Sequence, residues 1–255
     1  MHLTRQQRRL IYLVLAFFIT SRNFSIFFYS VVPGASSYYI PIILFALAGI
    51  GYYIKQDELP WQLALYFGFL KLIPLLPLEK ICRSNLHFFT LAILIIFSFI
   101  FLLIFKRDSI GELFGGNVKA RVAGTGIVKN WLQAGLLFVL VYGIWAFIRG
   151  PMLSHSLPSL SKEILVYSLL MALYNSLAVY SLPIAFLRGK LDKEELLVGL
   201  ALGLGLFERH FLIGSFYSTL LFLVVGWFFA RATYETKGSL LTTAMLFFYM
   251  LGSLI

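Results

Sequence analysis

The sequence predicts an all-α fold: a polytopic transmembrane helical bundle of eight or nine spans with its N-terminus in the cytoplasm. Three observations carry that prediction. The 255 residues are 60% hydrophobic and only 13% charged, whereas about a quarter of a soluble domain is charged. The apolar residues fall in long runs bounded by Lys and Arg, and about 20 such residues suffice to cross a bilayer as a helix. The basic residues are also distributed unevenly between alternate loops, which orients the chain across a membrane.

Nine apolar segments fit spans, near 10–32, 37–54, 60–78, 86–105, 131–148, 164–187, 196–213, 215–231 and 238–255. The opening MHLTRQQRRLIYLVLAFFIT has the basic start of a signal sequence, but SRNFSIFF follows in place of a small-residue cleavage site. We read it as a retained first helix. Ser21, Arg22 and Asn23 interrupt this span, and Lys71, Pro74 and Pro77 burden the third. A kinked or interfacial third segment would leave eight spans.

With the N-terminus inside, fourteen basic residues fall on the inner side: Arg5, Arg8, Arg9, Lys55, Lys106, Arg107, Lys119, Arg121, Lys129, Arg188, Lys190, Lys193, Arg231 and Lys237. The outer side receives four: Lys80, Arg83, Arg149 and Lys162. This bias places the C-terminus outside. It also accounts for the net charge of +10 without a nucleic-acid partner, because no aromatic-interleaved basic patch or zinc spacing accompanies it. Cys82 is the single cysteine, so neither an intrachain disulfide nor a Cys-rich metal site is available. No cofactor or metal is expected. The expected setting is a lipid bilayer, a bacterial plasma membrane.

The chain divides on this reading into N-terminal helices over 1–105, a cytoplasmic connector over 106–130 and a helical domain over 131–255. In the connector, Ser109-Ile-Gly-Glu112 has the pattern of a capping box, and Ile110, Leu113 and Phe114 suit a short interfacial helix. Its glycines match neither GxxxxGK[ST] nor GxGxxG, so a flexible link is the better reading. No internal repeat points to inverted halves.

Glu208, Arg209 and His210 stand in a row within LGLGLFERHFLIG. A charge at the bilayer centre costs about 2.5–3.5 kcal/mol on insertion scales, so such residues usually have a role. On one helix, Gly199, Gly203, Leu206 and His210 share a stripe, and the Gly199/Gly203 pair would let a second helix approach. His210 then points toward packed helices, while Glu208 lies on nearly the opposite face. The ordinary reading of His210 is an interhelical hydrogen bond; the functional one is a catalytic imidazole. Glu208 and Arg209 suit an outer interface, reached by snorkelling, with Arg22, Lys71 and Arg83 as alternative partners for Glu208. Tyr174 and Asn175 are read as interhelical ties. Glu194-Glu195 reads as a solvated helix start. His155 has no acid paired with it by a recognisable spacing, His87 reads as interfacial and His2 as disordered, and GSFYS at 214–218 matches no serine-hydrolase elbow.

Three pieces of the C-terminal half occur in a suggestive order: IAFLRGKL with Arg188-Gly189, then GLFERHF with His210, then a helix ending in Lys237-Gly238-Ser239-Leu240. This order resembles the CPBP family of intramembrane proteases (CAAX-processing and bacteriocin-processing enzymes, the Abi family). The family's pattern is EExxxRG, FxxxH, a Gly-spaced helix ending in TGSL, and HxxxN. The resemblance covers 131–255 and implies a bundle whose paired glutamates and histidines activate water for peptide cleavage. Arg188 and His210 match. Counted from the matched motifs, the glutamate positions hold Pro183 and Ile184, the second histidine position holds Phe247 and the asparagine position Leu251. Phe207 stands three residues before His210, not four. A general base must titrate within reach of its water, and none of those four side chains titrates.

The resemblance therefore implies a non-catalytic scaffold that binds a membrane-protein partner. A divergent active endopeptidase using His210, Arg188 and Glu208 is the alternative. A transport component with Arg22, Lys71, Glu208 and Arg209 lining one path is the third reading.

Overall fold

A computed structural model describes residues 5, 7–9, 11, 12, 14, 36–53, 59–75, 86–106, 110–111, 115–122, 128–153, 161–207 and 216–254. Among them the fold is all-helical. Among the described residues the β-type pairings are two isolated bridges, Arg121 with Asn130 and Arg188 with Leu191. The helices are α1 (Ser36–Tyr53), α2 (Leu59–Leu72), α3 (Leu86–Phe105), α4 (Trp131–Leu153), α5 (Lys162–Leu187), α6 (Lys193–Phe207), α7 (Phe216–Thr236) and α8 (Leu240–Leu254).

Two of these helices are long and apolar enough to cross a membrane, over Phe88–Phe105 and Lys162–Leu187. The apolar stretches Pro41–Tyr53, Trp131–Trp145 and Leu240–Gly252 are shorter. Each of these helices among the described residues falls on one of the apolar segments expected from sequence. The expected first segment, 10–32, lies largely outside the described residues, as do Ser109 and Glu112 of the proposed capping box.

The ends of the helices follow local chemistry. α2 stops at Leu72 and tightens into a 3-10 turn over Ile73–Leu75, because Pro74 has no amide proton to continue the ladder. α5 begins at an N-cap, where the Ser161 hydroxyl accepts from the Ile164 amide at 3.2 Å, and Glu163 in its first turn complements the helix dipole. It closes at Gly189, whose φ of +75° carries the chain through a left-handed turn that a glycine enters without penalty. Lys237 makes the comparable turn after α7 with φ 55°, which costs a side-chain-bearing residue about 1–2 kcal/mol.

The described chain forms two compact units, Met1–Leu86 with Pro183–Ala230, and His87–Leu182 with Arg231–Ile255. In the first, α1 packs along α2. Phe45 meets Phe69 edge to face at 5.1 Å, and Tyr52 meets Trp61 at 5.8 Å. In the second, α8 packs against both α4 and α5. Gly135 makes the first of these contacts possible, because a Cβ there would stand 2.9 Å from Leu241 Cδ1. Tyr142 and Tyr249 continue the contact, with ring centroids 5.0 Å apart. α3 joins α5 through Phe88 and Tyr167, edge to face at 6.0 Å.

The segment expected to be a flexible link is tied down by backbone bonds over its described residues 117–120. The Asn117 amide donates to the Thr236 carbonyl at 2.7 Å, the Trp131 amide to Ala120 at 3.0 Å and the Leu132 amide to Val118 at 2.8 Å. Gly116 has φ +76° and lies so close to Gly238 that a Cβ would stand 2.9 Å from its Cα. The Asn117–Thr236 bond joins residues more than a hundred positions apart, so no local composition signal announces it.

Candidate functional site

The polar side chains of the second unit concentrate where α5 widens. Asn175–Ser181 winds as a π-helix, with the Leu182 amide reaching back to the Leu177 carbonyl. Pro183 explains it. A proline within a helix lacks a donor and pushes its ring against the carbonyl four residues earlier, here Val179. Widening the preceding turns moves that carbonyl aside and gives the freed backbone groups other partners. All seven π-helical residues are buried, among them Asn175, Ser176, Tyr180 and Ser181.

From this segment a hydroxyl seam runs to α8 and the end of α7. Ser176 Oγ and Thr243 Oγ1 are 2.6 Å apart, and Thr233 Oγ1 and Thr242 Oγ1 are 2.7 Å apart. The Thr236 hydroxyl donates to the Ala232 carbonyl at 2.8 Å and lies 3.2 Å from the Gly238 carbonyl. Ser239 is buried beside it in sequence. The hydroxyls of Ser168 and Ser181 are buried without a hydrogen-bond partner among the described residues.

A carboxylate closes the seam at the end of α7. Glu235 Oε2 accepts from the Trp131 indole N–H at 2.8 Å, and Glu235 Oε1 accepts from Arg231 Nε at 3.0 Å. The pair is mostly buried, at 17% exposure for the Arg231 side chain and 9% for Glu235. Both carboxylate oxygens are thus engaged by fixed donors. The arrangement fastens the start of α4 to the end of α7 and holds the charge in place.

The residues singled out from sequence fall as follows. Glu208, Arg209 and His210 lie outside the described residues, as do Arg22, Arg83, His2 and His155. Arg188 sits half-buried at the end of α5, its amide donating to the Ile184 carbonyl at 2.8 Å. Glu195 is exposed in the first turn of α6 and accepts from the Tyr12 hydroxyl at 2.9 Å. A Cβ on Gly199 would meet nothing within 4 Å among the described residues. Pro183 and Ile184 are buried, and Phe247 and Leu251 are partly exposed on α8. Among the described residues no group of three or more His, Cys, Asp or Glu side chains is placed to hold a metal ion.

Sequence reasoning passed over Glu235. Its signal was the spacing Arg231 to Glu235, four residues on one helix, which brings the side chains together. It also passed over the threonines at 233, 236, 242 and 243, which read individually as neutral substitutions in apolar helices.

Comparison of the chain with protein-family models, with curated proteins and with solved structures finds no match.

Proposed function

We propose that the protein is a multi-pass membrane protein of eight or nine spans, N-terminus in the cytoplasm, seated in a bacterial plasma membrane, and that it works as a non-catalytic relative of the CPBP proteases. In this reading the bundle is a scaffold that binds a membrane-protein partner. One observation carries the non-catalytic part: Pro183, Ile184, Phe247 and Leu251 stand where the family's water-activating groups would be. The hydroxyl seam supports it from a second direction. Ser–Thr and Thr–Thr pairs between helices supply neutral hydrogen bonds, suited to fixing helix contacts and unsuited to general-base chemistry. The apolar length of α3 and α5 supports the membrane setting.

The test is cleavage of prenylated and transmembrane peptides by the detergent-purified full chain, with His210→Ala as control. The scaffold reading expects no turnover from either protein, and a stoichiometric membrane protein co-purifying with the wild type. Turnover by the wild type that the substitution abolishes would replace it with the divergent endopeptidase. Fusing reporters to each loop tests the span count and orientation; a reporter after Lys129 active only on the outer side would overturn the topology.

A further inference from the structure

Where α4 begins, backbone contacts join three stretches of chain that carry four exposed cations. Lys119 and Arg121 lie on the segment that the Asn117–Thr236 and Ala120–Trp131 backbone bonds hold down. Lys129 directly precedes α4; its carbonyl accepts from the Val122 amide at 3.4 Å, and its amide donates to Gln133 Oε1 at 3.1 Å. Lys237 sits on the turn after α7, next to the Thr236 and Gly238 backbone that meets Gly116 and Asn117. All four are exposed. The nearby carboxylate, Glu235, is already engaged by Trp131 and Arg231.

Immediately beyond these cations α4 presents an exposed apolar stripe. Leu132, Leu136, Leu140 and Ile144 recur every four residues, at 39%, 62%, 60% and 53% exposure, flanked by Leu137 and Val141. Residues four apart stack along one helix face. At 1.5 Å per residue the stripe is roughly 18 Å long, close to the ~15 Å of hydrocarbon in one leaflet. Cations of one sign at one end of an apolar strip of this length have the layout of an anionic lipid: phosphate at the top, acyl chain below.

We propose that the start of α4 is a binding site for an anionic phospholipid, with the phosphate among Lys119, Arg121, Lys129 and Lys237 and an acyl chain along Leu132, Leu136, Leu140 and Ile144. The proposal rests on the membrane reading above and adds a ligand class to it. The attraction is electrostatic at the headgroup, because basic residues at a membrane surface each favour anionic lipid, and the stripe selects a lipid over a free phosphate.

The test titrates the detergent-solubilised full chain with phosphatidylglycerol or phosphatidylcholine of identical acyl chains, read by native mass spectrometry. Phosphatidylglycerol is expected to bind at least about tenfold more tightly, from several cations each contributing at the surface. That preference should shrink as salt rises, since exposed charges are screened. The variant K119Q/R121Q/K129Q/K237Q should bind both lipids alike, while K119R/R121K/K129R/K237R should keep the preference. Equal binding of the two lipids by the wild type overturns the proposal. So does a preference retained by the glutamine variant, binding of glycerol phosphate as tight as that of the lipid, or polyglutamate bound in preference to phosphatidylglycerol. If the glutamine variant does not fold, the wild-type comparison and its salt dependence decide alone. Extraction of membranes with alkaline carbonate separates the two readings. Release of the protein into solution overturns the membrane reading, whereas retention without a headgroup preference overturns the lipid site only.

Discussion

The two helices able to span a bilayer are built on opposite plans. α3 is the more apolar of the two, and only 28% of its apolar window is buried within the protein. α5 carries Asn175, Ser176, Ser181 and Pro183, and 72% of its window is buried. The more hydrophobic helix is thus the more exposed one. In water that order would be inverted. In a bilayer it is the expected arrangement, because lipid tails are as apolar as Leu and the helix with polar side chains gains most from being enclosed by other helices. Even the serine of α3 obeys this rule: Ser98 is buried and donates to the Leu94 carbonyl of its own helix at 2.7 Å.

Substitutions can break or sharpen this contrast. The largest effect is expected at Tyr180, fully buried in the π-helical part of α5. Tyr180→Ala should destabilise by about 3–5 kcal/mol, the range for emptying a large aromatic site. Ile104→Ala on exposed α3 should change stability by less than about 0.5 kcal/mol. Denaturant or steric-trap unfolding in detergent measures both. Comparable losses at the two positions would show that α3 packs as tightly as α5.

Next comes Glu235. Glu235→Leu leaves the Arg231 guanidinium and the Trp131 indole N–H without their acceptor, at a cost of about 2–3 kcal/mol, reduced from the fully buried case because Arg231 is partly exposed. Glu235→Gln, which retains an acceptor for the indole, should lose less. A blue-shifted or quenched tryptophan signal that fails to respond to either change would mean that Trp131 is held by packing alone.

The Thr233–Thr242 pair is a smaller tie. Thr233→Val should cost about 0.5–1 kcal/mol, in the range of a typical net hydrogen bond. The double change T233V/T242V should cost less than the sum of the single ones, since no hydroxyl is left stranded. Strict additivity in the double-mutant cycle would remove the hydrogen bond from the account.

The smallest effect has the opposite sign. Lys237→Gly should stabilise the protein by up to about 1 kcal/mol, because φ 55° strains a lysine and not a glycine. A lower melting temperature in this variant would contradict the strained turn.

Much of the fold was legible from residue types in order. The apolar runs located each described helix, but the ends needed the structure: α2 stops at Leu72 where the run continues to 78, and α4 and α7 extend to Leu153 and Thr236, past 148 and 231. The site was less legible. Two of the residues marked in advance, Glu208 and His210, lie outside the described residues, and Arg188 is placed at a helix end. The seam instead uses Ser176, Thr233, Thr242 and Thr243, which single-residue reading treats as neutral fillers. Glu235 stayed hidden because its indole partner is at Trp131, over a hundred residues earlier in the chain.

What the sequence by itself determined is the all-helical composition and the approximate position of each described helix along the chain. These depend on apolar length, a property of short stretches. Only the tertiary structure decided which face of each helix is covered, that α5 widens around buried hydroxyls, and that the 115–122 segment folds onto the turn after α7. A helix apolar on all sides has no stripe that says where its neighbour lies. The choice is made by fits between distant side chains, such as Gly135 against Leu241 and Ser176 against Thr243.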